Sequence, residues 1–486
     1  MNELRDVSSL SERYDIVVVG AGPAGLATAT TSSELGASTL VLDENAGPGG
    51  QIYRAVTSTP VSAREILGED YWRGAKLATA FRASSSSYAR GATVWSVGPT
   101  LDESGRSEAL EIGVSLGGST RLIQAREVIL ATGALERPFP ISGWTLPGVM
   151  TAGAAQIALK SSGLVPDGRV VVAGCGPLLY LLTEQLRAAG ANIVALIETT
   201  PRANWAQALR QFPDFVRSPY LTKGLKLLWG ARRHLRIVSG ATGLQASGDG
   251  RMTEVTFRRR GKEERLACDL LLLHQGVAPN INLSNATGCV HDWDDGQLAW
   301  IPRVDEWFLS TVPGVSIAGD GAGIGGAESA PLRGRMAAIA AATRLGLIGA
   351  DERDRRATPV RAELSRALRG RLFLDALYQP AKEFRIPTEE NVTVCRCEEV
   401  TAGQIRETVA LGVVGPNQMK SFLRCGMGPC QGRLCGLTVT EMIAEARGVS
   451  PQEVGYYRLR PPVKPVTLAE LAALPKTEAA MRAVVR

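Results

Sequence analysis

The sequence predicts an α/β protein made of two Rossmann-like dinucleotide-binding domains followed by a small cysteine-rich domain. Three observations carry that prediction. A glycine loop, Gly20-Ala-Gly-Pro-Ala-Gly25, stands between two short β-branched runs near the start of the chain. A related loop, Gly174-Cys-Gly-Pro177, recurs 154 positions later between two more such runs, and internal repetition of this kind marks a duplicated unit. Five cysteines, Cys395, Cys397, Cys425, Cys430 and Cys435, then fall within 41 residues.

Composition agrees with this class. At roughly 100 to 200 residues per domain, 486 residues hold several units, and 53 glycines with 5% aromatics suit glycine turns and apolar parallel strands. The 54 cations against 48 acids leave +6 with no long basic run, so the electrostatic footprint of nucleic acid binding is missing. The first fifteen residues mix acids, Arg and Ser without an apolar core, unlike a secretory signal. No stretch reaches the roughly 18 uninterrupted apolar residues of a spanning helix. The expectation is a cytoplasmic protein, in which clustered cysteines hold metal or do redox work rather than form disulfides.

The first unit is complete in sequence. Tyr14 to Val19 reads as a buried strand, Leu26-Ala-Thr-Ala-Thr30 opens a helix, Gly36 ends it, and Thr39 to Asp43 forms the second strand. Gly20 permits the tight turn, Gly22 lets backbone approach a pyrophosphate, and Gly25 lets helix and strand pack closely. The phosphates then meet free amides at the positive helix end. Asp43, 18 positions after Gly25, stands where a carboxylate accepts from ribose hydroxyls, with Glu44 as the fallback.

Three later segments decide which dinucleotide is meant. They are Gly47-Pro-Gly-Gly-Gln-Ile-Tyr-Arg54, with Gly50 and Gln51; Val128-Ile-Leu-Ala-Thr-Gly133, with Thr132 and Gly133; and Val315-Ser-Ile-Ala-Gly-Asp-Gly321, with Gly319 and Asp320. They resemble the flavin-contacting motifs of the two-dinucleotide flavoproteins to which thioredoxin reductases belong. That resemblance implies FAD, or another adenine nucleotide, in the first site, with Asp320 near the ribityl and pyrophosphate.

The second unit repeats the strand, glycine turn and second strand, the last ending at Glu198, but Leu179 stands where the third glycine should be. Leu179 is expected to push its helix outward and alter the phosphate pocket. A working NAD(P)H site and a vestigial one both remain open. Neither nucleotide unit carries a C-x-x-C pair, so dithiol exchange is unsupported, and Cys175 reads as a small buried residue. The expected division is 1–145 with 276–345 for the first domain, 146–275 for the inserted second one, 346–390 for a helical connector with Leu364, Leu368 and Leu372 at helical spacing, 391–450 for the cysteine domain and 451–486 for a tail.

In the cysteine domain one residue separates Cys395 from Cys397, 32 separate Cys397 from Cys430, and four separate Cys430 from Cys435. Thr401 to Gly412 reads as a capped helix, and Gly426-Met-Gly-Pro-Cys-Gln-Gly432 as a loop of free amides able to stabilise charged sulfur. Four thiolates suit either a 2Fe-2S cluster or structural zinc. Attachment to a flavin domain favours iron and sulfide, because a closed zinc site carries no electrons.

Val394-Cys-Arg-Cys-Glu-Glu-Val-Thr401 and Gly426 to Cys435 resemble the bacterioferritin-associated-ferredoxin (BFD) type of 2Fe-2S module found in one group of flavoprotein subunits. The group comprises the A subunits of opine oxidases, the α subunits of proline and hydroxyproline dehydrogenases, and the B subunit of hydrogen cyanide synthase. Gly50-Gln-Ile-Tyr-Arg54, Gly133-Ala-Leu-Glu-Arg-Pro138 and Gly143-Trp-Thr-Leu-Pro-Gly-Val149 extend the likeness over nearly the whole chain. The resemblance implies cluster ligands Cys395, Cys397, Cys430 and Cys435, with Cys425 a bystander. It also implies a partner B or β subunit that oxidises a secondary amine or imino acid at its own FAD, an FMN between the subunits, and a downstream electron acceptor. The chain's three histidines, His234, His274 and His291, include no recognisable acid–base pair. His274 reads as a satisfied structural histidine sooner than a flavin contact, and no catalytic residue is expected here. The alternative is a stand-alone NAD(P)H-dependent FAD and 2Fe-2S reductase.

Overall fold

The computed structural model describes residues 1–101 and 107–474; the end of the expected tail lies outside the described residues. Apolar β-branched runs become the centres of two parallel sheets, because a strand covered by helices on both faces must be apolar at nearly every position. Arg13–Val19 pairs in parallel with Thr39–Asp43 on one side and Ser119–Leu130 on the other. This eight-stranded sheet continues through Ser87–Arg90 to Asn2–Leu4 at one edge, and through the antiparallel strands Ser107–Leu116 and Thr93–Leu101 at the other. Val128–Leu130 also pairs with Val315–Ile317, so the chain returns to this sheet after a long excursion.

The excursion forms a five-stranded parallel sheet, ordered Ile237–Ser239, Ile193–Glu198, Val170–Cys175, Leu270–Gln275, Val149–Thr151. An antiparallel ribbon, Ala134–Glu136 with Val277–Pro279, carries the chain out and back. The two units are not loosely tethered. Tyr53, Leu67 and Tyr71 of the first share one buried cluster with Leu159, Leu182 and Leu186 of the second, and each such side chain stabilises the contact by roughly 1.5 to 3 kcal/mol when removed from water.

The connector departs from its expected single leucine stripe. One helix runs Ala350–Leu368 and a second Arg371–Leu377. Between them Gly370 takes φ +80, and a Cβ there would lie 2.7 Å from Ser218. That turn leaves Leu372 65% exposed, while Phe373 stacks on Phe215 with ring centroids 4.0 Å apart.

In the cysteine domain Thr401 caps the helix Ala402–Ala410 through a reciprocal capping box with Gln404, which satisfies two orphan amides. Helices Pro416–Leu423 and Gly436–Arg447 complete a small core around the fully buried Tyr457. The domain is seated by Trp144 Nε1, which donates to Thr393 O at 2.8 Å, and Asn282 Nδ2, which donates to Gln431 O at 3.0 Å. Among the described residues no helix is long and apolar enough to cross a membrane.

Candidate functional site

The first glycine turn is built to admit backbone and little else. Gly20 leaves its strand at φ +106 with a Cβ position 2.5 Å from Ala131 O, and a Cβ on Gly25 would lie 1.8 Å from Gly20 O. Gly22 caps the helix Pro23–Glu34 with no side-chain hydrogen bond, leaving its first amides for a ligand oxygen. Gly50 closes on this turn: a Cβ there would lie 2.8 Å from Gly22 Cα.

A cavity of about 1320 Å³ runs from the turn, bordered by Gly20, Gly22, Asp43 and Glu44 at one end. It passes Gly50 and Gln51, then Thr132, Gly133, Gly319 and Asp320. Gly25 stays in the helix interior, outside the wall. The same cavity continues past Gly176, Glu198 and Ser239 of the second unit, so its volume spans both nucleotide folds and exceeds the roughly 300 to 1,000 Å³ of a single small-ligand pocket. Asp320 Oδ1 accepts from the amides of Gly325 and Gly326, both at 2.9 Å, which fixes the carboxylate at the cavity wall. Amides for a pyrophosphate and acids at both ends fit FAD.

Asp43 lines this end of the cavity and already holds backbone partners. Its Oδ2 accepts from Ala21 N at 2.5 Å and its Oδ1 from both Asn45 N and Nδ2 at 2.7 Å. The carboxylate therefore braces the turn, and burial, opposed by these hydrogen bonds, raises its pKa. Glu44, the neighbouring acid, is the more exposed of the two.

Lys160 escaped sequence reasoning. It stands on the helix Ala152–Ser162 and is 1% exposed. Its Nζ donates to Ile52 O and Gln156 Oε1, both at 2.8 Å. Burial pulls its pKa down to about 7. A lysine in an amphipathic helix carries no local sign of being buried; only the approach of the Gly-Gly-Gln loop makes it so.

The second glycine turn is the same motif changed. Gly174 is forced, since a Cβ would lie 1.7 Å from His274 O. Leu179 is fully buried in the core shared by the two units. At the matching position Gly25 has no Cβ, and one there would lie 1.8 Å from Gly20 O. The capping glycine differs accordingly, Gly176 at φ +107 against Gly22 at −74. Glu198 accepts from Thr200 Oγ1 at 3.3 Å and from the Tyr180 hydroxyl. The Cys175 thiol donates to Gln275 Oε1 at 3.1 Å, and burial pushes its pKa up to about 12. His274 Nδ1 bonds Glu136 Oε1 at 2.6 Å, while its buried Nε2 has no partner among the described residues. It is half satisfied rather than fully so.

The cysteines divide into a trio and a pair. The sulfurs of Cys395, Cys425 and Cys435, all buried, lie within 4.8 Å of one another. Cys397 and Cys430, both half-buried, hydrogen-bond through their thiols. Cys425 lies inside the trio rather than apart from it: the turn at Arg424, at φ +57, precedes it, and its sulfur takes a hydrogen bond from the Tyr457 hydroxyl at 3.6 Å. Hydrogen bonds from Cys425 and Cys435 hold the Cys395 thiol far below the usual range, and the same contacts push those two up. A thiolate backed by poised thiols suits a soft metal centre, which displaces protons as it binds. Gly428 is needed beside it, because a Cβ would lie 2.2 Å from Cys397 Cβ. Cys430, alone of the five cysteines, also lines the large cavity.

Fold and site together define an FAD-dependent oxidoreductase carrying a C-terminal thiol centre. Residues 14–346 match the pyridine nucleotide-disulphide oxidoreductase family model, and residues 390–474 match the sarcosine oxidase A3 domain. The chain is 50% identical over 485 residues to the opine oxidase A subunit of Agrobacterium tumefaciens (strain Ach5), spanning 99% of this chain and 96% of that one. It is 49% identical over 484 residues to the opine oxidase A subunit of Rhizobium meliloti, spanning 100% and 92%. The chain belongs to the family of opine oxidase A subunits. Among solved structures, the L-proline dehydrogenase from P.horikoshii shares the fold with a TM-score of 0.70 at 18% identity, over 97% of this chain and 80% of that one.

Proposed function

We propose that the chain is the electron-transfer subunit of a heteromeric amine oxidoreductase of the opine oxidase kind. A partner B subunit oxidises a secondary amine or imino acid at its own FAD, an FMN lies at the subunit interface, and the electrons leave for a downstream acceptor in the cytoplasm. In this reading FAD occupies the first site, on Gly20, Gly22, Gly50, Gln51, Thr132, Gly133, Gly319 and Asp320. The domain at 391–450 holds a 2Fe-2S cluster on Cys395, Cys397, Cys430 and Cys435, with Cys425 a fifth sulfur beside it. Bound there, the cluster supplies one-electron transfer, which a closed zinc site does not.

The observation that carries the reading is the shared cavity: Cys430 lines the same space as the flavin-type motifs. In the second unit, Leu179 and the internally bonded Glu198 favour a nucleotide fold kept for its shape. The test is anaerobic. Protein purified without oxygen is expected to contain iron and labile sulfide, and to be bleached by an opine only when the partner chain is added. Rapid bleaching by NADPH alone would establish the stand-alone reductase instead, and zinc in place of iron would remove the electron-transfer role.

A further inference from the structure

Beyond the cluster the chain does not trail off. It crosses to the first sheet and is fastened at three points. Leu459 N donates to Asn285 Oδ1 at 3.0 Å, Val463 N donates to Trp95 O at 3.0 Å, and Thr120 Oγ1 donates to Glu470 O at 2.6 Å. Val463 is 3% exposed and packs in the core of the eight-stranded sheet. Val463 and Lys464 border the nucleotide cavity at the end where Asp43 and Glu44 stand. There Lys464 Nζ meets Glu44 Oε2 at 2.5 Å.

We propose that this strap, residues 459–464, is the outer wall of the adenosine end of the first site, and that Lys464 positions Glu44 to accept a ribose hydroxyl. The proposal rests on the reading of that site as one for an adenine nucleotide. Asp43 is engaged by Ala21 and Asn45 at both oxygens. Glu44 has one oxygen on Lys464 and no partner for Oε1 among the described residues. Alone, a half-exposed glutamate samples several rotamers, and binding a ribose costs the entropy of choosing one. The ammonium reduces that cost by holding the carboxylate in place beforehand. The site therefore selects ligands that carry an adenosine ribose, such as FAD or ADP, over FMN, which has none. Its affinity also depends on a segment that follows the cysteine domain in the chain.

The experiment uses the full chain, stripped of flavin, with FAD, ADP and FMN titrated separately by calorimetry. Lys464→Met is expected to weaken FAD and ADP about fivefold, or about 1 kcal/mol, and to leave FMN and the visible spectrum of the cluster unchanged. Lys464→Arg should restore FAD affinity, and Glu44→Gln should lower it with no further loss in the double variant. Equal weakening of FAD and FMN, or additive losses in the double variant, would make the strap merely structural and overturn the proposal. If the unaltered chain binds FMN but neither FAD nor ADP, the adenine-nucleotide reading itself falls, and the strap proposal falls with it.

Discussion

Lys160 shows how one residue can carry a pH dependence that no motif announces. Its pKa is about 7 in the folded chain against an ordinary 10.5. Between those values the unfolded chain holds the extra proton, so stability rises with pH, by up to roughly 1.4 kcal/mol per unit. Below about pH 7 the full cost of burying the ammonium is present. Lys160→Met should abolish the slope: urea midpoints of the native protein are expected to climb from pH 7 to 10 relative to the variant, and parallel curves would rule the account out. Cys425 makes a second case. Because its sulfur touches both Cys395 and Cys435, Cys425→Ser is expected to shift the visible absorption of the iron-loaded protein, whereas a bystander would leave it unaltered. Cys395→Ser should remove most of the iron, read by metal analysis.

At the scale of elements, the two glycine helices have one topology and opposite tolerances. Gly25→Ala would force a Cβ to 1.8 Å from Gly20 O. It should cost roughly 1 to 3 kcal/mol or more as overpacking and release the flavin, which a flavin-to-protein absorbance ratio measures. Leu179→Ala, at the matching position, should cost about 2 to 5 kcal/mol through a cavity yet leave that ratio intact, since its side chain faces the shared core. Loss of flavin from the Leu179 variant alone would show that the shared core, not the first turn, controls the site. These elements were largely readable beforehand. The strand–turn–helix of Tyr14 to Thr30 and the capped helix from Thr401 rest on neighbours in sequence, so their signals are local. The requirement for glycine at 370 was not, because what a Cβ would meet there is Ser218, a residue of another unit.

For the whole molecule, the shared core and the seated cysteine domain hold the proposed flavin and cluster sites in one fixed arrangement within a single chain. Anaerobic photoreduction of the flavin in the isolated chain should therefore reduce the cluster without added mediators, at a rate independent of protein concentration; a concentration-dependent rate would mean that transfer occurs between molecules. Internal rotation of the nucleotide units is equally disfavoured. Lys160, Gln156 and Gln185 form a buried relay that ends on Leu67 O of the first unit at 2.7 Å.

The sequence by itself determined the α/β class, the first glycine turn, the flavin-type motifs and the thiol-rich end, since each depends on spacing along the chain. It named Asp43, with Glu44 as the fallback, for the ribose, and it had no sign of Lys160 or Lys464. Those were decided only by tertiary structure. Glu44 and Lys464 are 420 positions apart, and whether a carboxylate is free or a lysine buried depends on what folding brings against it.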